Sequence, residues 1–238
     1  MLIPYITVDQ MRLIDQLMEE KYQISLFQMM ENAGRNLALI AKRKFFKNNC
    51  NGKTVVILTG TGGNGGGAMV AARNLHNWGA LVDIVIVKEK EKYTDVAGQQ
   101  LAILDKMGLD FCFNCEFETR RYDLVIDGLI GYSLKGGPKG IAKDLINWAN
   151  SQPFPVLSLD VPSGMDATTG EIYEPCIRAY ATLTLALPKT GFLPRRSKFY
   201  TGELFLCDIS VPAKLYGELG IELPKDPIFS EDEIVKIY

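Results

Sequence analysis

The sequence predicts a single α/β domain with three α-β-α layers, Rossmann-like, around a mostly parallel central sheet. Two observations carry that prediction. Short runs of consecutive Val, Ile and Leu recur along the chain, as buried parallel strands require on both faces. Amphipathic helical segments separate them, and strand–helix alternation implies right-handed crossovers with helices on both sides. At 238 residues, 47% hydrophobic and 23% charged, the chain suits one large core better than two.

Residues 7–46 read as helix. Thr7 followed by Gln10 fits a capping box, and Met11, Ile14, Leu17 and Met18 recur at helical spacing. A break near Tyr22-Gln23 precedes a second amphipathic run, Leu26 to Phe46. Thr54–Thr59 is a short apolar strand; a glycine-rich turn and a helix from about Ala68 to Trp78 follow it. Leu81–Val87 reads as strand and Thr94–Met107 as helix; Asp123–Asp127 as strand and Ile141–Asn150 as helix. Val156–Asp160, Thr182–Leu187 and Glu203–Ile209 complete the strands, and residues 212–238 read as a tail across the surface.

Formal charge is −2, which leaves no electrostatic footprint for nucleic acid or an acidic membrane surface. The run Lys88-Glu89-Lys90-Glu91-Lys92 alternates in sign and reads as a solvated strand end. The first residues lack the basic and apolar segments of a signal peptide, and no apolar run approaches the roughly 20 residues of a membrane helix. Five scattered cysteines, Cys50, Cys112, Cys115, Cys176 and Cys207, point to a reducing, cytoplasmic setting. Cys112 and Cys115 form a lone C-x-x-C, which the single His76 cannot complete as a zinc site.

Ligands of open α/β sheets sit beyond the carboxyl ends of the strands, and three of these ends are polar or glycine-rich. The first runs into Gly60-Thr61-Gly62-Gly63-Asn64-Gly65-Gly66-Gly67, where backbone N–H groups and a helix N-terminus can meet an anion. Gly60-x-Gly62-x-x-Gly65, with Glu89 further on, also matches the dinucleotide fingerprint of a dehydrogenase, though little length remains for a catalytic domain. The second end is Asp127-Gly128-Leu129-Ile130-Gly131, leading into Tyr132-Ser133-Leu134-Lys135-Gly136-Gly137. The third is Asp160-Val161-Pro162-Ser163-Gly164-Met165-Asp166. If the three converge, Asn64, Asp127 and Ser163 offer oxygen ligands to a cation while Asp160 faces a substrate. Lys189, after the next strand, can point at the same crevice.

Met29-Met30-Glu31-Asn32-Ala33-Gly34 resembles the Met-Glu-Asn-Ala-Gly signature of the YjeF N-terminal domain family. The glycine loop with Val70-Ala71-Ala72-Arg73-Asn74-Leu75, the Asp160–Asp166 segment with Thr169-Gly170, and Ala181-Thr182 with Pro188-Lys189 and Gly191 are similar to further family motifs in the same order. The resemblance runs from about Val8 to Val211. It implies an epimerase that interconverts the R and S forms of hydrated NADH and NADPH, binds potassium, forms homodimers and passes the S form to a separate dehydratase. It carries over Asn64, Asp127 and Ser163 as cation ligands and Gly63–Gly67, Gly131–Gly137 and Asp160 as the substrate site. Asp160 is expected to be the general acid/base and Lys189 its electrostatic or proton partner. Three positions depart from the family's Gly-x-Gly-Asn-Asn-Gly-Gly-Asp-Gly loop: Gly63 stands for Asn, Gly67 for Asp and Ala68 for the last Gly. The lost Asp leaves a non-catalytic nucleotide-binding or scaffold module as the alternative. The methionines of the N-terminal helices, Met11, Met18, Met29 and Met30, have two readings: they cover the sheet, or they supply adaptable apolar contacts to a homodimer.

Overall fold

The computed structural model describes residues 2–93, 95–113 and 120–238. Helices α1 (Val8–Glu20) and α2 (Leu26–Ile40) both start with capping boxes, Thr7 with Gln10 and Ser25 with Gln28. In each box the cap hydroxyl and the third-residue amide satisfy one another's backbone N–H groups. A wide π turn over Ala41–Phe45 ends the second helix.

The alternation then runs β1 (Thr54–Thr59), α3 (Gly63–Asn77), β2 (Leu81–Ile86), α4 (Asp95–Lys106), β3 (Phe111–Phe113) and β4 (Leu124–Gly128). It continues with α5 (Gly140–Ser151), β5 (Val156–Leu159), β6 (Ala181–Leu185), α6 (Ser197–Thr201), β7 (Glu203–Cys207), α7 (Ala213–Glu218) and β8 (Ile234–Lys236). Sheet order is β3-β2-β1-β4-β5-β6-β7-β8. The first seven strands are parallel and β8 is antiparallel to β7. Strand order reverses between β1 and β4, so the crevice for a ligand opens at their carboxyl ends.

Two sequence expectations need correction. The glycine-rich stretch is not a turn before the helix: α3 already begins at Gly63. Glycine's poor helix propensity is overridden by packing, because a Cβ on Gly65 would lie 1.7 Å from the Gly60 carbonyl oxygen. Residues 212–238 are not merely a surface tail: they form α7 and the edge strand β8, whose Lys236 bonds Glu203 of β7. The four N-terminal methionines, at 0–4% exposure, are interior, in line with the reading in which they cover the sheet and not with the one that makes them a dimer face. The short edge strand β3 was also missed; Cys112 lies on it, exposed, while Cys115 falls outside the described residues. The charge run Lys88–Lys92 is exposed, as expected.

Two of the resembling motifs meet at the crossing of α2 and α3. A Cβ on Gly34 would lie 2.3 Å from the Gly67 carbonyl oxygen, so glycine is what lets the helices approach. Beside it, Glu31 accepts from Arg73 and from Gln100 at 2.8 Å. The N-terminal segment is pinned to the far side of the sheet: Ile6 N–H donates to Pro188 O at 2.9 Å and Thr190 N–H to Ile6 O at 2.8 Å.

Gly63 has open space around its Cα and no left-handed backbone. Gly63→Ala should therefore stabilise the protein by up to ~1 kcal/mol. Gly65→Ala should cost at least ~2 kcal/mol despite alanine's better helix propensity. Urea denaturation midpoints of the two variants test this contrast.

Candidate active site

Asp160 ends β5 at a sharp bend. Its φ is +63°, and the Val161 N–H closes back on Leu159 O at 2.8 Å, a γ-type turn of the strained hand. The bend swings the carboxylate out of the strand direction toward Lys189. Lys189 Nζ lies 2.5 Å from Asp160 Oδ1, and the two side chains are 0% and 2% exposed. The ammonium also donates to Leu185 O at 2.9 Å and Thr184 Oγ1 at 3.4 Å, and Thr184 Oγ1 lies 3.4 Å from Asp160 Oδ1. A buried charge persists only when paired and hydrogen-bonded, and these contacts supply both.

The pair borders a cavity of about 100 Å³. Asn64 of α3 and the ends of β5 and β6 form one wall, with Leu159, Asp160, Leu185 and Lys189; α1 and α2 form the other, with Met11, Asp15, Leu26, Met29 and Ala33. Such a volume admits a single small ring, whereas whole drug-sized ligands occupy roughly 300–1,000 Å³. Tyr132 lines the same cavity, and its hydroxyl donates to Asp15 Oδ2. Burial pushes the Asp15 carboxyl above the ordinary carboxylate range; the Tyr132 hydrogen bond and the Lys189 charge oppose this, while Asp160 and Glu19 add to it. Burial likewise raises the Tyr132 phenol, helped by the charge of Asp15, so the phenol stays protonated.

Asp127 sits beneath this site, fully buried. Its Oδ1 accepts from Ser163 Oγ at 2.6 Å and Leu129 N–H at 3.2 Å; its Oδ2 accepts from Ser158 Oγ at 2.8 Å and Ser163 N–H at 3.0 Å. Burial raises the Asp127 carboxyl while these four donors pull the other way. Ser163 Oγ also accepts from Ile130 N–H at 2.9 Å. Asn64, in the first turn of α3, donates Nδ2–H to Leu159 O at 2.8 Å, and its Oδ1 accepts no hydrogen bond among the described residues. A Cβ on Gly131 would lie 2.5 Å from that Oδ1, so glycine leaves the amide its place. Asn64, Ser163 and Asp127 thus link the ends of β1, β4 and β5. As a donor set they are all oxygen with a single carboxylate, which suits a hard ion of low charge. Among the described residues no group of three or more His, Cys, Asp or Glu is placed to hold a metal.

The sequence-predicted substrate residues separate into two groups. Gly63, Asn64, Tyr132 and Asp160 line the cavity. Gly65, Gly66 and Gly67 are buried in α3, packed against Gly60 O, the Met30 thioether and Leu159 respectively, and the Gly66 N–H is already bonded to Gly62 O. Ser133, Leu134, Lys135, Gly136 and Gly137 follow Tyr132 outside the cavity lining, with Ser133, Lys135 and Gly136 exposed. Asp15 was missed. Its one sequence signal is an acid in the stripe Met11, Asp15, Met18, four and three residues from buried methionines.

The family described as YjeF-related protein N-terminus matches residues 26–191. An NAD(P)H-hydrate epimerase of Dehalogenimonas lykanthroporepellens is 43% identical, covering 94% of this chain and 89% of that protein. One from Entamoeba histolytica is 31% identical over 97% of each. A bifunctional NAD(P)H-hydrate repair enzyme of Moorella thermoacetica is 33% identical over 88% of this chain, which spans 41% of that protein. The crystal structure of yeast ynu0 superposes with a TM-score of 0.82 at 24% identity, covering 99% of this chain and all of that one, and shows the same fold.

Asp160→Asn and Lys189→Met should each lose about 3–5 kcal/mol of stability, because each strands a buried partner. The double variant should lose much less than the sum of the two. A double-mutant cycle from urea unfolding measures this coupling.

Proposed function

The chain belongs to the YjeF-related N-terminal family, and from that premise we propose that it is an epimerase interconverting the R and S forms of hydrated NADH and NADPH. The observation that carries this reading is the buried Asp160–Lys189 pair on the wall of a ring-sized cavity at the carboxyl ends of β5 and β6. The hydrated nicotinamide ring enters the cavity. The rest of the dinucleotide follows the mouth, past the first turn of α3 at Gly63–Gly65 and the loop after Tyr132, with the anionic phosphates near the helix N-terminus. Asp160 exchanges a proton with the hydroxyl on the hydrated ring carbon, and Lys189 holds the carboxylate in place and balances its charge.

The loop departures at Gly63 and Gly67 leave this machinery in place. Gly63 opens onto free space, and a Cβ at Gly67 would meet the Leu159 side chain, not either member of the ion pair. Nothing in the geometry favours a binding module without turnover. Asn64, Asp127 and Ser163 would hold potassium, which when bound supplies a fixed positive charge near the anionic substrate.

Relatives named as bifunctional repair enzymes support coupling to a dehydratase. The family resemblance supports a homodimer; exposed Leu193 and Phe199 offer it apolar surface in place of the buried methionines. Free Cys50, Cys112, Cys176 and Cys207 support a cytoplasmic setting. Among the described residues no helix is long and apolar enough to cross a membrane.

The test supplies the R form of hydrated NADH with an S-specific dehydratase and its nucleotide in potassium buffer, and follows NADH recovery. Recovery should rise well above the spontaneous rate. Asp160→Asn should lower the enzymatic rate at least ~10²-fold, and replacing potassium with tetramethylammonium should slow it. No acceleration, with the dehydratase active on the S form, would remove the epimerase assignment.

A further inference from the structure

If the hydroxyl-bearing ring carbon inverts by losing water from one face and regaining it on the other, protons must be handled on both faces, and a carboxyl on one wall serves only one of them. The cavity offers two. Asp160 comes from the end of β5 and Asp15 from α1, and they lie on the walls formed by the strand ends and by the N-terminal helices. Asp15 occupies the inner stripe of its helix, between buried Met11 and Met18. Asp15 is half-buried there, and an acid so placed is costly unless it is hydrogen-bonded or paired. One of its oxygens is held by the Tyr132 hydroxyl; Oδ1 accepts no hydrogen bond among the described residues. The ionisable groups around it are Tyr132, Lys189, Asp160, Glu19 and, from α7, Tyr216.

Building on the epimerase reading, we propose that Asp15 is a second catalytic acid/base, serving the ring face opposite Asp160, with Tyr132 as its positioning residue. In one direction Asp15 protonates the ring hydroxyl. The C–O bond breaks and water leaves with that electron pair, while the ring nitrogen's lone pair forms the C=N bond of an iminium. Water adds to the other face, the nitrogen regains its pair, and the surplus proton passes to Asp160. The reverse direction exchanges the two roles, and solvent resets the protons. The two carboxyls differ as this division requires: Asp160 is paired to a lysine, whereas burial favours the protonated form of Asp15.

The experiment measures kcat and KM of folded wild type, Asp15→Asn, Asp160→Asn and Tyr132→Phe across pH, in water enriched in ¹⁸O. Asp15→Asn should lose about 10²–10⁴-fold in kcat with KM little changed, and each wild-type inversion should carry in one solvent oxygen. Because the Tyr132 hydrogen bond lowers the Asp15 pKa, Tyr132→Phe should raise it and move the alkaline limb of kcat to higher pH. That limb decides the matter even if Asp15→Asn does not fold. Undiminished kcat in folded Asp15→Asn, an unmoved limb in Tyr132→Phe, or inversion with the original oxygen retained would overturn the assignment while leaving the epimerase reading standing. A wild type that accelerates nothing would overturn both.

Discussion

A buried ammonium beside a buried carboxylate, Lys189 against Asp160, is the constraint around which the carboxyl edge of this sheet is organised. Neither charge reaches water. Each must therefore be met by protein groups, and those groups are fixed in turn. Leu185 O and Thr184 Oγ1 receive the lysine from the end of β6. The strained bend at Asp160 is held by Asp160 N–H on Leu183 O at 2.7 Å. Ala186, also left-handed at φ +62°, turns the chain out of β6 so that Lys189 can come back over its own strand. The N-terminal segment closes the arrangement by bridging Ile6 to both neighbours of Lys189.

Much of this was legible because it is local. Apolar runs mark β1, β2, β4, β5, β6 and β7, since strands buried on both faces have nothing else to show. An acid terminating such a run, as in Leu157-Ser158-Leu159-Asp160, is conspicuous because burying it unpaired is costly. Asp15 carries no such mark. On an amphipathic helix one acid looks like any solvated residue, and its partner Tyr132 lies 117 positions away. Strands β3 and β8 each span three residues, too few for a period to emerge. The start of α3 was hidden by glycine, whose intrinsic preference argues against helix. Only the 1.7 Å approach to Gly60 O explains why glycine stands there.

The altered glycine loop has a physical counterpart in the cavity wall. A Cβ on residue 67 would lie 2.8 Å from Leu159 Cδ2, and Leu159 itself lines the cavity. The leucine methyl therefore fills space that a larger residue at 67 would claim. The loop and the wall are one packing problem, and the missing carboxylate is matched by an apolar surface rather than by a hole.

The bridge between Ile6 and Lys189 also bears on the order in which the molecule assembles. The two walls of the cavity come from segments far apart in the chain, Met11–Ala33 and Leu159–Lys189, and closing so long a loop is entropically slow compared with forming helices or neighbouring strands. Most of the sheet can be in register before the cavity exists. A ribosome must deliver Lys189 before the N-terminal strand segment, made first, has anything to bridge to. Regain of a closed cavity on refolding is accordingly a late event, and it reports the completed topology rather than secondary structure.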